Sequence, residues 1–158
     1  TCNITIPGTD CMVYLDRVET KWPLRFQLPV GTRVPLYCTA SGKLFLSTLS
    51  DSQLQRYLSS ADLLRHTDKT LTDPDALRAE IQHIRAIGYA LDDGEFLEGM
   101  NAAAVPIKDI QGRLVSTLAV HGPAQRMSMS QAEEYLLPLR EAAQELALLF
   151  NGEAPAGD

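Results

Sequence analysis

The chain has 158 residues, of which 45% are hydrophobic and 22% are charged. This length and composition are typical of one ordinary globular domain, and they exclude a collagen-like repeat, a disulfide-dense miniprotein and a largely disordered chain. Twenty acidic residues against fourteen Lys and Arg give a net charge of -6. Because such a chain repels phosphate groups, it is a poor candidate for direct nucleic-acid binding.

The cysteines and the start of the chain indicate the cellular context. Cys2, Cys11 and Cys38 form no Cys-x-x-Cys pair, and an odd number argues against a disulfide framework. We interpret them as partly buried thiols in a reducing cytoplasm. No apolar run approaches the roughly 18 residues that a membrane span needs, and the first ten residues lack the features of a secretion signal. The missing first Met predicts a piece of a longer protein.

The first half of the chain predicts short strands followed by two helices. Strands or extended segments are expected at residues 2–6, 12–18, 24–26 and 35–38, with a turn at 7–10. A short helix is predicted at 40–49, and Ser50 with Asp51 opens a second one that runs to Leu58. Residues 59–72 read as a polar connection.

The clearest helix is predicted at residues 74–87. The segment 72–75 supplies an N-cap and a Pro in the first turn, and Gly88 ends the helix. The apolar residues of this helix recur at helical spacing, at Leu77, Ile81, Ile84 and Ile87.

The second half predicts a hairpin and a last helix. A strand at 89–91 enters an acidic loop at 92–98, and strands at 102–107 and 114–120 form the hairpin. The last helix is predicted to begin at Ser130 with a capping box to Glu133, and Pro138 should kink it. Residues 1–150 therefore predict one α+β domain around a mainly antiparallel sheet, and the tail at 151–158 is predicted to be disordered.

The segment from Thr39 to Lys43 is small and polar where a helix is predicted to begin. Its Ser41-Gly42-Lys43 is similar to a phosphate loop, but Leu44 stands where Ser or Thr is needed. Unpaired backbone N–H groups at such a helix start can bind a small anion such as a carboxylate. The alternative is that small residues let the helix pack closely on the sheet.

Four acidic side chains follow the predicted strand at 89–91, namely Asp92, Asp93, Glu95 and Glu98. They suggest a hard-metal site or an acid–base pair. A solvated acidic loop is the commoner arrangement, and the segment lacks the Asn and Gly spacing of an EF-hand loop. We therefore expect no metal here.

The histidines do not form a zinc-binding pattern, because His66, His83 and His121 lie far apart. His83 is expected at the surface of its helix. His121 is either a satisfied structural histidine or a polar group that points into a cavity.

No catalytic triad is recognisable, since the sequence has no Gly-x-Ser-x-Gly elbow. The apolar residues Leu24, Phe26, Val34 and Met100 are core on the simplest interpretation. They could equally line a ligand pocket, because such pockets are mostly apolar with few polar groups.

Four segments carry a resemblance that covers almost the whole chain in order. They are GTRVPLYCTASGK at 31–43; RAIGYALDD at 85–93 with Glu95 and Gly99; AVPI at 104–107 with Asp109 and Gly112; and VHGP at 120–123 with Arg126. Together they resemble the effector-binding domain of the IclR family of bacterial transcription regulators. The resemblance implies a GAF-like fold, with a curved sheet flanked by helices. It also implies a winged helix-turn-helix domain, N-terminal to this one and absent from the chain.

The resemblance implies a site as well. In the family, the effector is usually a small organic or aromatic acid, and its carboxylate meets backbone amides at a helix start. Those amides fall on Ala40 and Ser41. The polar contacts fall on Asp92, Ala119 and His121, and the apolar wall falls on Phe26, Val34, Met100 and Ala102.

This chain departs from the family pattern at three of these positions. Ala119 and His121 stand where relatives that sense small keto acids have Ser, and Ala102 stands where a Cys can occur. Because the alanines open space and His121 can donate a hydrogen bond, we expect a larger or aromatic acid rather than glyoxylate or pyruvate.

The resemblance implies a ligand-controlled regulator and not an enzyme. Homodimers or tetramers are expected, with the apolar face of the last helix either as a contact surface or as core, and DNA is contacted only through the absent domain. We expect no cofactor, no membrane association and a cytoplasmic location. Two alternatives stay open: a GAF-type sulfoxide reductase that uses Cys2, Cys11 or Cys38, and an oligomerisation module without a ligand.

Overall fold

A computed structural model describes residues 1–19, 21, 23 and 28–152. Within them the strands are β1 Cys2–Pro7, β2 Cys11–Val18, β3 Arg33–Pro35, β4 Ala90–Asp93, β5 Met100–Lys108 and β6 Leu114–Pro123. The helices are α1 Ala40–Leu46, α2 Asp51–Ser60, α3 Pro74–Ile87, α4 Met129–Glu134 and α5 Leu136–Phe150. The predicted strand at 24–26, with Phe26, and the tail at 153–158 lie outside the described residues.

The six strands form one antiparallel sheet in the order β3-β2-β1-β6-β5-β4. Helices α1 and α3 lie on one side of it, and α4 with α5 lie on the other. The predicted α+β class and the hairpin of β5 and β6 are therefore confirmed. We call the α1 side the inner face and the α5 side the outer face.

Strand alternation divides the core between the two faces. On β5, Ala102 and Ala104 join the apolar cluster under α1, whereas Ala103, Val105 and Ile107 join the cluster under α5. Ala102 lies opposite His121 and Ala104 lies opposite Ala119 in the register of β5 with β6. Since successive side chains of a strand point to opposite faces, His121 and Ala119 also belong to the inner face.

Helix α3 forms where its local signals place it. The Asp73 side chain accepts a hydrogen bond from the Ala76 N–H, Pro74 begins the helix, and Gly88 ends it in the left-handed conformation with φ 77°. Leu77, Ile81 and Ile84 are buried on one side.

The last helix differs from its prediction. It begins two residues earlier, because Ser128 and Gln131, not Ser130 and Glu133, form the capping box. Instead of a kink at Pro138, the helix breaks at Tyr135 into α4 and α5. Pro138 then lies in the first turn of α5, where a missing N–H costs no helical hydrogen bond.

Three other boundaries also shift. The extended segment predicted at 35–38 is strand only as far as Pro35, because Leu36–Thr39 turns into α1. Helix α1 ends at Leu46 and not at residue 49, and the Ser47 hydroxyl donates to the Leu44 carbonyl at 2.6 Å. The strand predicted at 89–91 runs from Ala90 to Asp93.

Gly42 allows α1 to lie directly on the preceding backbone. A Cβ built at Gly42 would lie 2.7 Å from the Leu36 carbonyl carbon, a distance that real Cβ contacts do not show. Close packing by small residues is thus one reason for the composition of 39–43.

We expect Gly42→Ala to lower the free energy of unfolding by about 2 kcal/mol or more, because the added methyl group overpacks against backbone that cannot rotate away. Gly122→Ala is the matched control, since its Cβ would lie 3.6 Å from the nearest atom, Met127 Cβ, and it should change stability by less than about 1 kcal/mol. Urea denaturation of both variants gives the two values, and equal losses would contradict the expectation.

Candidate functional site

A cavity of about 30 Å³ lies between the start of α1 and the inner face of the sheet. This volume corresponds to roughly one water molecule. Its lining consists of Asn3, Thr5, Tyr14, Leu28, Val34, Thr39, Ala40, Ser41, Asp92, Phe96, Met100, Ala102, Ala119 and His121.

The structure brings eight of the nine predicted site residues together around this cavity. They are Val34, Ala40, Ser41, Asp92, Met100, Ala102, Ala119 and His121; Phe26, the ninth, lies outside the described residues. The prediction missed Asn3, Thr5, Tyr14, Leu28 and Phe96. A signal for the first two exists in β1, where polar Asn3 and Thr5 alternate with Ile4 and Ile6.

The start of α1 is only partly capped by the protein itself. The Thr39 hydroxyl donates to the Pro35 carbonyl at 2.7 Å and accepts from the Gly42 N–H at 3.1 Å. Across the described part of the chain, the backbone N–H groups of Ala40 and Ser41 have no hydrogen-bond partner. The first turn of a helix leaves such donors unsatisfied, so two of them remain at the cavity wall.

Asp92 is buried, which corrects the expectation of a solvated acidic loop. Its side chain is 2% exposed and its Oδ1 accepts from the Glu95 N–H at 2.7 Å. Burial, and after it the nearby Glu95 carboxylate, raises the pKa of Asp92 from 3.8 to about 7. Asp93 and Glu98 are exposed, so the loop is solvated only at these positions.

A buried lysine neutralises part of this acidic segment. Lys43, 1% exposed, donates to Glu95 at 2.6 Å and to Glu80 at 3.1 Å. Lys43 does not line the cavity. It ties α1 to α3 and to the loop after β4, and a buried charge of this kind is stable only with such partners.

His121 and Asn3 form a buried polar pair on adjacent strands. The His121 Nδ1 lies 2.9 Å from the Asn3 Nδ2, whereas His121 Nε2 and Asn3 Oδ1 are buried without a partner. Burial is the main cause that lowers the pKa of His121 to about 4. The ring is therefore uncharged at neutral pH.

The other predicted chemistry has less support. His83 is exposed, as expected, and His66 packs against the rings of Tyr37 and Phe96. Among the residues that the structure describes, no three His, Cys, Asp or Glu side chains form a group that could hold a metal ion. No helix in the same residues is long and apolar enough to cross a bilayer.

The cysteines do not form a reactive cluster. Cys2 is exposed, Cys11 and Cys38 are buried, and all three are free thiols. Burial raises the pKa of Cys38 to about 12, and the Asp92 and Glu95 carboxylates add to this effect. Because the thiolate is the reactive form, Cys38 is a poor nucleophile.

A second, larger depression of about 710 Å³ lies on the outer face, which we call the outer groove. It is bordered by the start of β1, the end of β2, β6 and α5, with Ile4, Val18, Val120, Leu146 and Leu149 among its lining. Leu139 and Ala143 of α5 are core residues, whereas Leu137, Leu149 and Phe150 stay exposed. The last helix thus buries one side within the domain and leaves another in solvent.

The comparisons with known proteins agree on one family. The family model described as the bacterial transcriptional regulator IclR C-terminal region matches residues 1–148. The chain is 45% identical over 150 residues to the "Probable transcriptional regulator SauR" of Cupriavidus necator. That match covers 95% of this chain but 60% of SauR, so the chain spans little more than half of such relatives.

Solved structures give the same result for the fold. The IclR of Thermotoga maritima superposes with a TM-score of 0.85 at 33% identity and covers 92% of this chain and 59% of that one. The inducer-binding domain of PobR from Acinetobacter, a double mutant solved with 3-hydroxybenzoic acid, superposes with a TM-score of 0.85 at 26% identity. It covers 94% of this chain and 87% of the PobR domain.

The buried Asp92 predicts a pH dependence of stability. Between pH 3.8 and about 7 the folded chain holds a proton on Asp92 that the unfolded chain has lost, so this group lowers the free energy of unfolding as pH rises. The shift corresponds to roughly 4 kcal/mol. His121 acts in the opposite direction between pH 4 and 6.5, so the total profile alone does not isolate Asp92.

Asp92→Asn should therefore gain stability relative to the unsubstituted chain as pH rises from 5 to 8, because the amide keeps the acceptor for Glu95 N–H but never ionises. Glu98→Gln, at an exposed position, is the control and should run parallel to the unsubstituted chain. Urea denaturation at the two pH values measures the difference, and a parallel profile for Asp92→Asn would contradict the role of Asp92.

Proposed function

This chain belongs to the IclR family of bacterial transcriptional regulators and corresponds to their C-terminal effector-binding domain, and we propose that it binds a small organic carboxylate. In this proposal the bound acid controls DNA binding by an N-terminal domain outside the chain. The protein acts in the cytoplasm. Because the chain has a net charge of -6 and repels the phosphate groups of DNA, the other domain makes the DNA contacts.

The observation that carries the proposal is the pair of unpartnered N–H groups at Ala40 and Ser41 on the wall of the cavity. A carboxylate there accepts two backbone hydrogen bonds, as anions do at helix starts. Lys43, one turn further on, already has two carboxylate partners. The backbone donors, not a lysine, are therefore the groups proposed to hold the acid.

The remaining lining gives the proposed site its other contacts. Val34, Met100, Ala102 and Ala119 supply the apolar wall, to which Phe26 is added by the family resemblance. Asp92 is part of the wall with a pKa near 7. It can remain protonated and donate a hydrogen bond to a bound carboxylate, so binding should weaken as the pH rises and Asp92 ionises.

The volume of the cavity bears on the sequence-based expectation of a larger or aromatic ligand. Ala102 and Ala119 leave room because their side chains end at Cβ. A cavity of about 30 Å³, however, holds roughly one water molecule, and an aromatic ring enters only if the wall moves. The acids used in the test below span both sizes.

The proposed coupling to DNA runs through the arrangement of subunits. Effector binding shifts this arrangement only to the extent that the acid binds one arrangement more tightly than the other. We assign the outer groove and the exposed apolar residues of α5 to contacts between copies of the chain, as a dimer or tetramer. Large exposed apolar patches of this kind mark interaction surfaces.

Ala40→Pro tests the anion site, because it removes the N–H of the first residue of α1. Proline is tolerated at this helix position, and Thr39, with φ -119° and ψ 148°, already has the backbone conformation that a following proline requires. We expect at least a tenfold loss in affinity for carboxylic acids that raise the melting temperature of the unsubstituted chain.

The control for added volume is Ala40→Val, which enlarges the same side chain but keeps the N–H. The screen includes acetate, pyruvate, benzoate and 3-hydroxybenzoate, followed by thermal shift and calorimetry. Equal affinities of the proline and valine variants would show that the Ala40 N–H does not bind the acid. If no acid in the screen binds, the result favours the oligomerisation module without a ligand.

Leu149→Glu tests the assembly surface. Leu149 lines the outer groove and is 58% exposed, so the substitution costs little in the monomer but places a charge in the proposed contact. Size-exclusion chromatography with light scattering should show a smaller oligomer than for the unsubstituted chain. Gln144→Glu, on the exposed side of the same helix, adds the same charge away from the groove, and an identical effect of both variants would contradict the assignment.

A further inference from the structure

We propose that Asn3 and His121 recognise an uncharged group of the effector that both donates and accepts a hydrogen bond, so that the effector is a hydroxy acid. This inference rests on the proposed function and adds the class of ligand. It assigns a role to Asn3, which is not among the predicted site residues and whose sequence signal is the alternation of polar and apolar residues in β1.

The side chains of Asn3 and His121 are both buried. Asn3 is 2% exposed and His121 is 5% exposed, and both line the cavity. Each nevertheless has one buried atom without a hydrogen-bond partner, Oδ1 in Asn3 and Nε2 in His121. Buried polar atoms are almost always paired, and each exception calls for an explanation.

The Asn3–His121 pair can still make two hydrogen bonds to a ligand, one at each unpaired atom. Asn3 Nδ2 lies 2.9 Å from His121 Nδ1 and donates to it, which places the proton of the neutral ring on Nε2. The pair then presents one donor, Nε2–H, and one acceptor, Oδ1. If the amide is rotated by half a turn, Nδ1–H donates to Asn3 and Nε2 becomes the acceptor while the amide NH₂ becomes the donor. In both orientations the pair presents one donor and one acceptor.

A hydroxyl group matches the one donor and one acceptor that this pair presents. A hydroxyl group donates and accepts, whereas a keto oxygen only accepts and a methyl group does neither. A second carboxylate only accepts hydrogen bonds, so it would leave the acceptor of the pair unpaired, and burial keeps His121 neutral at physiological pH, so the ring supplies no compensating charge. Of the cations near the cavity, Lys43 is bound to Glu95 and Glu80, and Arg17, which acts electrostatically on His121, is bound to Glu19.

The two ends of the proposed ligand contact different elements around the cavity. The carboxylate lies at Ala40 and Ser41 of α1, and the hydroxyl lies at Asn3 of β1 and His121 of β6, on the other wall of the same cavity. The apolar side chains of Ala102 and Ala119 lie on the sheet next to His121. An acid without the hydroxyl leaves Asn3 Oδ1 and His121 Nε2 unpaired, so the site binds it less tightly than the hydroxy acid.

The test compares matched acids on the 158-residue chain by isothermal titration calorimetry. The pairs are glycolate with acetate, lactate with propionate and with pyruvate, and 3-hydroxybenzoate with benzoate. The hydroxy acid of the pair that fits should bind at least tenfold more tightly than its deoxy or keto partner. A tenfold ratio corresponds to 1.4 kcal/mol.

The double variant Asn3→Leu/His121→Phe removes both unpaired atoms and keeps similar shapes. We expect it to bring the hydroxy-to-deoxy ratio of dissociation constants close to one. His83→Phe, at an exposed position, is the control and should keep the ratio. The comparison of acids on the unsubstituted chain decides the question even where the double variant does not fold.

The outcomes separate this inference from the proposed function. Equal affinities for hydroxy and deoxy acids overturn the role of Asn3 and His121 but leave the carboxylate site in place, and a water molecule then pairs with the two atoms. Tighter binding of pyruvate than lactate also overturns it. If none of these acids binds, the proposed function itself fails.

Discussion

Gly42 lies so close to the backbone of Leu36 that no side chain fits between them. Since Leu36 directly follows β3, this contact sets the distance of α1 from the sheet. The first turn of α1 is therefore held over the inner face, and the N–H groups of Ala40 and Ser41 reach the cavity. A larger residue at position 42 would lift the helix start away from the wall that it completes.

Electrostatics constrain the same region. One buried lysine, Lys43, faces the carboxylates of Glu95 and Glu80, with Asp92 next to them. Burial is the main cause that disfavours the charged form of Asp92, and the Glu95 carboxylate adds to it, whereas Lys43 compensates only in part. Asp92 therefore holds a proton up to near-neutral pH, and the uncharged carboxyl group makes the cavity wall less repulsive to an anion.

The sheet separates two kinds of surface. Its inner face carries the apolar cluster under α1 and a cavity lined by small and polar side chains, whereas its outer face carries the apolar cluster under α5 and the outer groove. Strand β1 contributes to both, because Asn3 points inward while its neighbours Cys2 and Ile4 line the groove. Ligand contacts and proposed subunit contacts therefore lie on the same strand, one residue apart.

The sequence alone determined the element types, since helix α3 and the β5–β6 hairpin follow from periodicity, caps and turns that act within a few residues. It also pointed to eight of the cavity-lining residues. The full set came from motif resemblance, and the helix start at Ala40 and Ser41 had a local physical signal as well. Only the tertiary structure decided that Asp92 and Glu95 are buried and that Asn3 belongs to the cavity. Lys43 is 52 residues from Glu95 and Asn3 is 118 residues from His121. Strand pairing and helix packing bring such distant residues together, and the energy of a buried charge or an unpaired polar atom depends on that assembled environment.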